Sequence, residues 1–323
     1  MTCTDVSIPN ADVLLPEDQR TVVGKISTIY LQTEVCFQMV DDDRNPQNQS
    51  LELPRVISDW HEYSGIPIEE ITSDIASYEK RIADEWRAMV TTAEDNQISK
   101  FYGESNSYVY DILSSYTQSK FHSKRRNNLR IQAFIKHLAR GRRVNALEFG
   151  GGTGELCLLM WEAGATVTYC DLRGRISEFA AWRFKKYNAG IKTIYSRIDC
   201  VDLPESSYDL VVSDAVLEHL KVEHLRGFVD SMSRSLKPTG YLYLLWDPTY
   251  YAANPTHILG LSDLDVILSD SGLLRIGENV YARAAVRRYL LLARLISPLF
   301  SVPSPFRGYL LRFLSTLEKI YVT

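Results

Sequence analysis

The sequence predicts an α/β fold, a doubly wound and mostly parallel sheet preceded by a helical extension, and three observations carry that prediction. From residue 144 onward, short apolar runs alternate with segments of helical periodicity. Before residue 141 the periodicity is helical only. Between the two textures, "NALEFGGGTGELCLLM" places four glycines in five residues after one apolar run and before another. That is where a strand would hand over to a helix beside a ligand.

Each element follows in order. Residues 1–50 are polar and end in "DDDRNPQNQS", a loop or linker composition expected to be poorly ordered. From "LPRVISDWHEYSG" through "PIEEITSDIASYEKRIADEWRAMV", Ile68, Ile71, Ile75, Tyr78, Ile82 and Trp86 recur at helical spacing, with Pro67 suited to a first turn. Further helices are expected over "SYVYDILSSY" and the basic "NNLRIQAFIKHLARG", the latter stopped by Gly141. Together these make residues 51–120 a helical extension or lid. The series then reads as strand "VNALEF", helix "ELCLLMWEAG", strand "TVTYC", helix "RISEFAAWRFKKYNAG", strands "IKTIYSR" and "YDLVVS", helix "LRGFVDSMSRSLKPTG" and strand "YLYLLW". Residues 121–280 are thus a Rossmann-like domain, and residues 281–323 a basic amphipathic tail. No internal repeat is visible.

Composition narrows the class. With 45% hydrophobic and 24% charged residues over 323 positions, the chain can bury a core without staples. The five cysteines are scattered, odd in number and form no CxxC pair, which points away from disulfides and zinc ribbons and toward a reducing, cytoplasmic setting. No segment resembles a signal peptide or a membrane span. Residues 1–120 carry 21 acidic against 9 basic side chains, whereas residues 281–323 carry 7 basic against 1 acidic. An acidic front half argues against a general nucleic-acid binder.

The glycine spacing excludes two nucleotide motifs. Counting from Gly150 and Gly152, the third glycine of a dinucleotide fingerprint falls on Glu155, and a P-loop would need a lysine that is not there. The pattern present is E-x-G-x-G-x-G, formed by Glu148, Gly150, Gly152 and Gly154. With "TVTYCDL", "RIDCVDLPESSYDLVVSDAVLEHL", "LKPTGYLYL" and the later "NPTHI" and "LDVILSDSGL", it resembles the class I S-adenosylmethionine-dependent methyltransferases, in particular the ubiquinone-biosynthesis type. The resemblance runs from about Phe121 to Leu273.

That resemblance implies S-adenosyl-L-methionine as cofactor. It implies that Glu148 and the loop of Gly150, Gly152 and Gly154 meet the amino-acid end, that Asp171 with Leu172 holds the ribose, and that Asp199 with Cys200 reads the adenine, Ser213 standing nearby at the end of the fourth strand. The ligand's chemistry asks for the same groups: backbone donors, a carboxylate near an ammonium, and an acceptor for a diol. Bland alternatives stand beside these roles, since Asp171 also suits a helix N-cap and Asp202 rivals Asp199 as the residue before the Pro204 turn.

Methyl transfer needs an aligned nucleophile and, for a protonated one, a base. His219 in "LEHL" and His257 in the loop after the fifth strand are the candidates, the alternative being histidines that merely order their loops. Glu218 beside His219 is one carboxylate next to one imidazole, too few ligands for a metal, so no metal is expected. Aromatic residues in "FYGESNSYVYD" and "WDPTYY" are candidates for an acceptor pocket wall and, equally, for core.

The expected reaction is methylation of a hydroxyl or amine on a small-molecule or lipid-linked acceptor. The alternatives are a non-catalytic regulatory protein that keeps the cofactor pocket, and an RNA or protein methyltransferase. In the tail, leucines and arginines interleave on two expected helices split by "SPLFSVPSP". Such helices suit packing on the domain or on a twin subunit in a homodimer, or lying on an anionic membrane surface.

Overall fold

The computed structural model describes residues 54–117, 120–139, 142–246, 257, 264–277 and 279–283. They belong to one compact unit spanning residues 36–284. The expectations for residues 1–50, for "NPT" of "NPTHI", for Tyr250 and Tyr251, and for the tail beyond residue 283 lie outside the described residues.

The lead-in is helical and divides where the sequence carries breakers. α1 spans Arg55–Ser64 and ends on Gly65 in the left-handed region at φ 73°, whose N–H bonds the His61 carbonyl. Pro67 then caps α2, Ile68–Met89, which buries the stripe Ile71, Ile75, Tyr78 and Ile82. α3, Asp95–Glu104, was not expected, its apolar positions being too few to show a period. α4 covers Asn106–Ser114, capped by the Ser105 hydroxyl, which accepts from the Tyr108 N–H at 3.0 Å. α5 spans Lys120–Leu138, starting well before the expected "NNLR".

The sheet follows: β1 Asn145–Phe149, α6 Glu155–Glu162, β2 Thr166–Leu172, α7 Arg175–Lys186, β3 Lys192–Ser196, β4 Tyr208–Asp214, a 3-10 turn at Leu217–His219, α8 Val222–Ser235 and β5 Leu236–Leu245. α9 Leu264–Asp270, β6 Leu273–Arg275 and β7 Val280–Arg283 complete it. Strand order is β3-β2-β1-β4-β5-β7-β6. β1 to β5 run parallel, and β7 pairs antiparallel with both β5 and β6. The chain winds outward from β1 to β3 and then crosses back to β4, so the order reverses between β1 and β4. This is the doubly wound, mostly parallel sheet expected from the sequence, with a helical extension in front. A ligand crevice forms at that reversal, beyond the carboxyl ends of the strands.

Two boundaries differ from expectation. The helix expected to run through "SLKPTG" ends at Ser235, because Pro238 has no N–H to continue it. Residues 236–240 instead open β5 with a bulge, pairing Tyr208 with Leu236 and then Leu210 with Tyr241. Residues Tyr281–Arg283, assigned to the tail, belong to β7.

The extension is not a separate layer. Val56, Ile57, Trp60 and the α2 stripe share one buried cluster with Ile176 and Phe179 of α7. Trp60 meets Phe179 edge-on at 5.0 Å between ring centroids. A second cluster lies where α8 and α9 cover the strands, through Phe228, Met232 and Leu268 against Leu147, Val211 and Leu242.

Candidate active site

A cavity of about 500 Å³ opens at the carboxyl ends of β1, β2 and β4, under α2 and α4. Its floor is the glycine loop. Gly150, Gly152 and Gly154 all take positive φ, at 71°, 50° and 70°. A Cβ on Gly150 would stand 2.1 Å from a Val216 methyl, and one on Gly154 2.6 Å from the Phe184 ring, so these two are fixed by packing as well as by φ. A Cβ on Gly152 would make only ordinary van der Waals contact, its nearest neighbour being Ile112 at 3.7 Å.

The loop N–H groups are engaged within the protein. Gly150 N and Gly151 N donate to the Cys170 carbonyl at 2.8 and 3.2 Å, and Gly152 N donates to Asp171 Oδ2 at 2.7 Å. These glycines therefore present a side-chain-free wall more than a row of donors. Asp171 also accepts from Leu172 N at 2.7 Å and from the Tyr169 hydroxyl at 3.3 Å. Burial raises its pKa to about 6, the backbone donors holding it from rising further. Both oxygens keep acceptor capacity, and the residue lines the cavity with Leu172.

Glu148 is 5% exposed, and its Oε2 is a buried oxygen without a hydrogen-bond partner. Burial pushes its pKa up to about 8 against the opposing pull of the Cys157 hydrogen bond and Lys124. Lys124 of α5 reaches the same wall, its Nζ 3.1 Å from Asp214 Oδ2. Burial disfavours its charge, yet Asp214, Tyr116 and Glu148 lift its pKa above the ordinary lysine value. Ala215, next along the chain, takes φ 56°, a left-handed conformation costly for a residue with a Cβ, at the mouth of β4.

His219 and His257 line the same cavity, ring centroids 4.7 Å apart. The Tyr102 hydroxyl of α3 lies 3.1 Å from His219 Nδ1. Glu218, 2% exposed, completes a group whose ligand atoms lie within 4.8 Å of one another. Tyr108 walls the same region, its phenol kept neutral by burial and by the nearby Asp171.

The fold thus brings Glu148, Gly150, Gly152, Asp171, Leu172, His219 and His257 to one cavity. Gly154 ends the loop behind it, against Phe184. Asp199, Cys200 and Ser213 stand outside the lining. Asp199 is held by the forked guanidinium of Arg197, Nε at 2.9 Å, which keeps its pKa below the usual carboxylate range. Cys200 is exposed, and Ser213 is fully buried in β4. Arg197 and Ile198, which do line the cavity, were not anticipated. Nor was Lys124, because "KFHSKRRNNLR" offers several cations with nothing in the spacing to single one out. Of the aromatic residues, Phe101 and Tyr110 are core, whereas Tyr102 and Tyr108 face the cavity.

Comparison with known proteins agrees with this geometry. Residues 147–244 match the family model described as a methyltransferase domain. No curated protein matches the chain. Among solved structures, the YcgJ protein of Bacillus subtilis is 18% identical with a TM-score of 0.36, covering 41% of this chain and 62% of that one. An S-adenosylmethionine-dependent methyltransferase of Mesorhizobium loti is 20% identical with a TM-score of 0.34, over 41% of this chain and 74% of its own. The 1,6-didemethyltoxoflavin-N1-methyltransferase of Burkholderia thailandensis, solved with 1,6-didemethyltoxoflavin and S-adenosylhomocysteine, is 16% identical with a TM-score of 0.39, over 54% and 86%. The likeness to a methyltransferase domain is thus confined to residues 147–244.

Proposed function

We propose that this protein transfers the methyl group of S-adenosylmethionine to a hydroxyl or amine of a small-molecule or lipid-linked acceptor held under the helical extension. The observation that carries the reading is one cavity lined together by the glycine loop, Glu148, Asp171, His219 and His257.

The residues fit the cofactor. Glu148 Oε2, buried and without a partner, is a ready acceptor for an ammonium, and Gly152 leaves room that a Cβ would fill. Asp171 is placed to accept from a ribose diol through the lone pairs its backbone donors leave open. Lys124, paired with Asp214, is the cation on the glycine-loop side for a carboxylate. The adenine role expected of Asp199 passes more naturally to the side of Ser196, Arg197 and Ile198, which line the cavity where Asp199 does not.

S-adenosylmethionine supplies a methyl group already activated by a positive sulfur. The chain's own work is alignment and proton handling. Tyr102 holds His219 through Nδ1, and the two imidazoles, both lining the cavity, are the groups to take an acceptor's proton. The roof of α2, α3 and α4 keeps water from the transfer region.

Calorimetry tests the reading. S-adenosylhomocysteine should bind in the micromolar range, about -8 kcal/mol, while NAD does not bind. Asp171→Ala should weaken that binding by about 1.5 to 3 kcal/mol. Unchanged affinity in the variant removes the ribose role, and absence of binding to the full chain removes the reading. Isotope-labelled cofactor incubated with metabolite extract then identifies the acceptor by mass.

A further inference from the structure

We propose that the outer face of α5 is a docking surface for an anionic lipid bilayer. Residues 112–147 contain no Asp or Glu and nine Lys and Arg, in a chain whose formal charge is -4. The fold sorts these cations into two groups. Lys124 turns inward to Asp214 at 3.1 Å, and Arg142 pairs with Asp209 at 2.5 Å. Arg125, Arg126 and Lys136 of α5, with Arg143 just beyond it, are exposed, and none of them pairs with a carboxylate among the described residues.

Helical geometry gathers the second group. Arg125, Lys136, Leu129 and Arg126 fall within an arc of about 100° that runs for three turns, about 16 Å. Ile131, Phe134, Ile135 and Leu138 on the far side of the helix are buried in the domain. Leu129, in the middle of the cationic arc, is 40% exposed. Cations around an exposed leucine match both layers of a bilayer surface, since lipid phosphates attract the charged heads while the leucine and the arginine stems reach the acyl boundary. A nucleic acid meets the charges and leaves the leucine in water. A bilayer also touches one face only, so the excess acid of residues 1–120, 21 acidic against 9 basic side chains, does not oppose it beyond a screening length of about 8 Å.

The same helix reaches the cavity. Lys124 and Asn127, on its inward side, belong to the lining, so a bilayer against the outer side lies about one helix diameter, about 10 Å, from the cavity wall. This consequence rests on the lipid-linked form of the reading above, in which the acceptor's head enters the cavity while its chain stays in the membrane; the docking itself does not. Stable anchoring takes two signals, and the basic tail is the second.

The test is co-sedimentation of the full-length protein with vesicles of phosphatidylcholine and phosphatidylglycerol in equal parts, against vesicles of phosphatidylcholine alone. Only the anionic vesicles should carry the protein down. Joint Arg125→Glu and Arg126→Glu substitution should weaken that association by about tenfold or more, while Lys80→Glu with Lys192→Glu, exposed cations of α2 and β3, makes the same change in net charge and should alter it less than about twofold. The emission that Leu129→Trp adds should shift to the blue on anionic vesicles and be quenched by bromine-labelled acyl chains. Equal weakening by the two charge reversals, or a Leu129→Trp emission that vesicles leave unchanged, overturns the assignment of this face. Full-length protein that ignores vesicles overturns it as well, and single-stranded RNA bound in their place through Arg125 and Arg126 names a different polyanion. S-adenosylhomocysteine affinity, measured on the same preparations, should stay within about twofold in every variant. Its absence in the parent protein, with vesicle binding intact, overturns the cofactor reading and leaves the docking surface standing.

Discussion

At the scale of single residues, burial sets the charge state of Glu148. With a pKa of about 8 in the unliganded protein, its carboxyl is mostly protonated at pH 7. An ammonium against Oε2 favours the charged form, so cofactor binding at pH 7 should release close to one proton, and affinity should rise with pH until about 8 and then level off. Calorimetry in buffers of different ionisation enthalpy measures the release, which Glu148→Gln should abolish. Stability runs the other way. Glu148 and Asp171 both have raised pKa values, so the stability they contribute is complete below their unfolded values near 4 and lost as pH rises through about 6 and about 8. Melting of the unliganded protein should therefore fall between about pH 4 and 8 and level off above that, and less so with S-adenosylhomocysteine present. The loop glycines separate two roles: Gly150→Ala meets Val216 and a positive φ together, and should cost about 2 to 4 kcal/mol of stability. Gly152→Ala makes only ordinary contact with Ile112, so φ alone opposes it, at about 1 to 2 kcal/mol, while its methyl intrudes on the ligand. Denaturation curves and S-adenosylhomocysteine affinity should thus separate the two variants.

At the scale of elements, the extension is riveted to the domain on both sides of the cavity. On one side Arg183 of α7, fully buried, reaches Asp59 of α1 at 2.7 Å, the Thr153 carbonyl of the glycine loop at 2.9 Å, and Glu155 at the start of α6. Burial alone would raise the Asp59 pKa, but hydrogen bonds from Lys186 and Tyr187 and the charge of Arg183 bring it below the ordinary value. This contribution has the opposite sign to that of Glu148: it is present above the usual carboxylate range and lost as pH falls through the lowered pKa. On the other side Asp95 of α3 meets Lys221 at 2.5 Å and His224 at 2.9 Å, at the start of α8. Removing one buried partner strands the others, so Arg183→Met should cost about 3 to 5 kcal/mol in urea denaturation. Because Arg183 also holds Thr153, surviving protein should bind S-adenosylhomocysteine more weakly than Asp95→Asn, which releases only the outer rivet. Equal affinities would confine Arg183 to a structural role.

At the scale of the whole molecule, the shared core of α1 to α4 with α7 makes the extension part of the fold. A chain shortened to begin at Lys120 exposes Ile176 and Phe179 and should lose cooperative unfolding by calorimetry. The proposal of a lipid-linked acceptor rests on the tail's sequence. No helix among the described residues is long and apolar enough to cross a membrane. The interleaved leucines and arginines of residues 287–323 should instead bind vesicles containing anionic lipid, with binding that weakens as salt rises and is lost on deleting those residues. If the full-length protein stays in the supernatant, the lipid-linked acceptor loses its support and the small-molecule acceptor remains.

The sequence by itself determined what is local or periodic. The strand-glycine-helix transition after Phe149, the Pro67 and Gly65 punctuation, and the acidic residues ending β1 and β2 are written in neighbouring positions, because backbone conformation and amphipathic spacing are local properties. Tertiary structure decided what depends on distant partners. The pairing of β7 against β5 placed Tyr281–Arg283 in the sheet. Lys124 was selected from a row of cations by Asp214, 90 positions away. His257 joined Glu218 and His219 only because the chain returns to the edge where β4 ends. Sequence spacing cannot register such meetings, since each is set by the packing of whole elements and not by the residues between them.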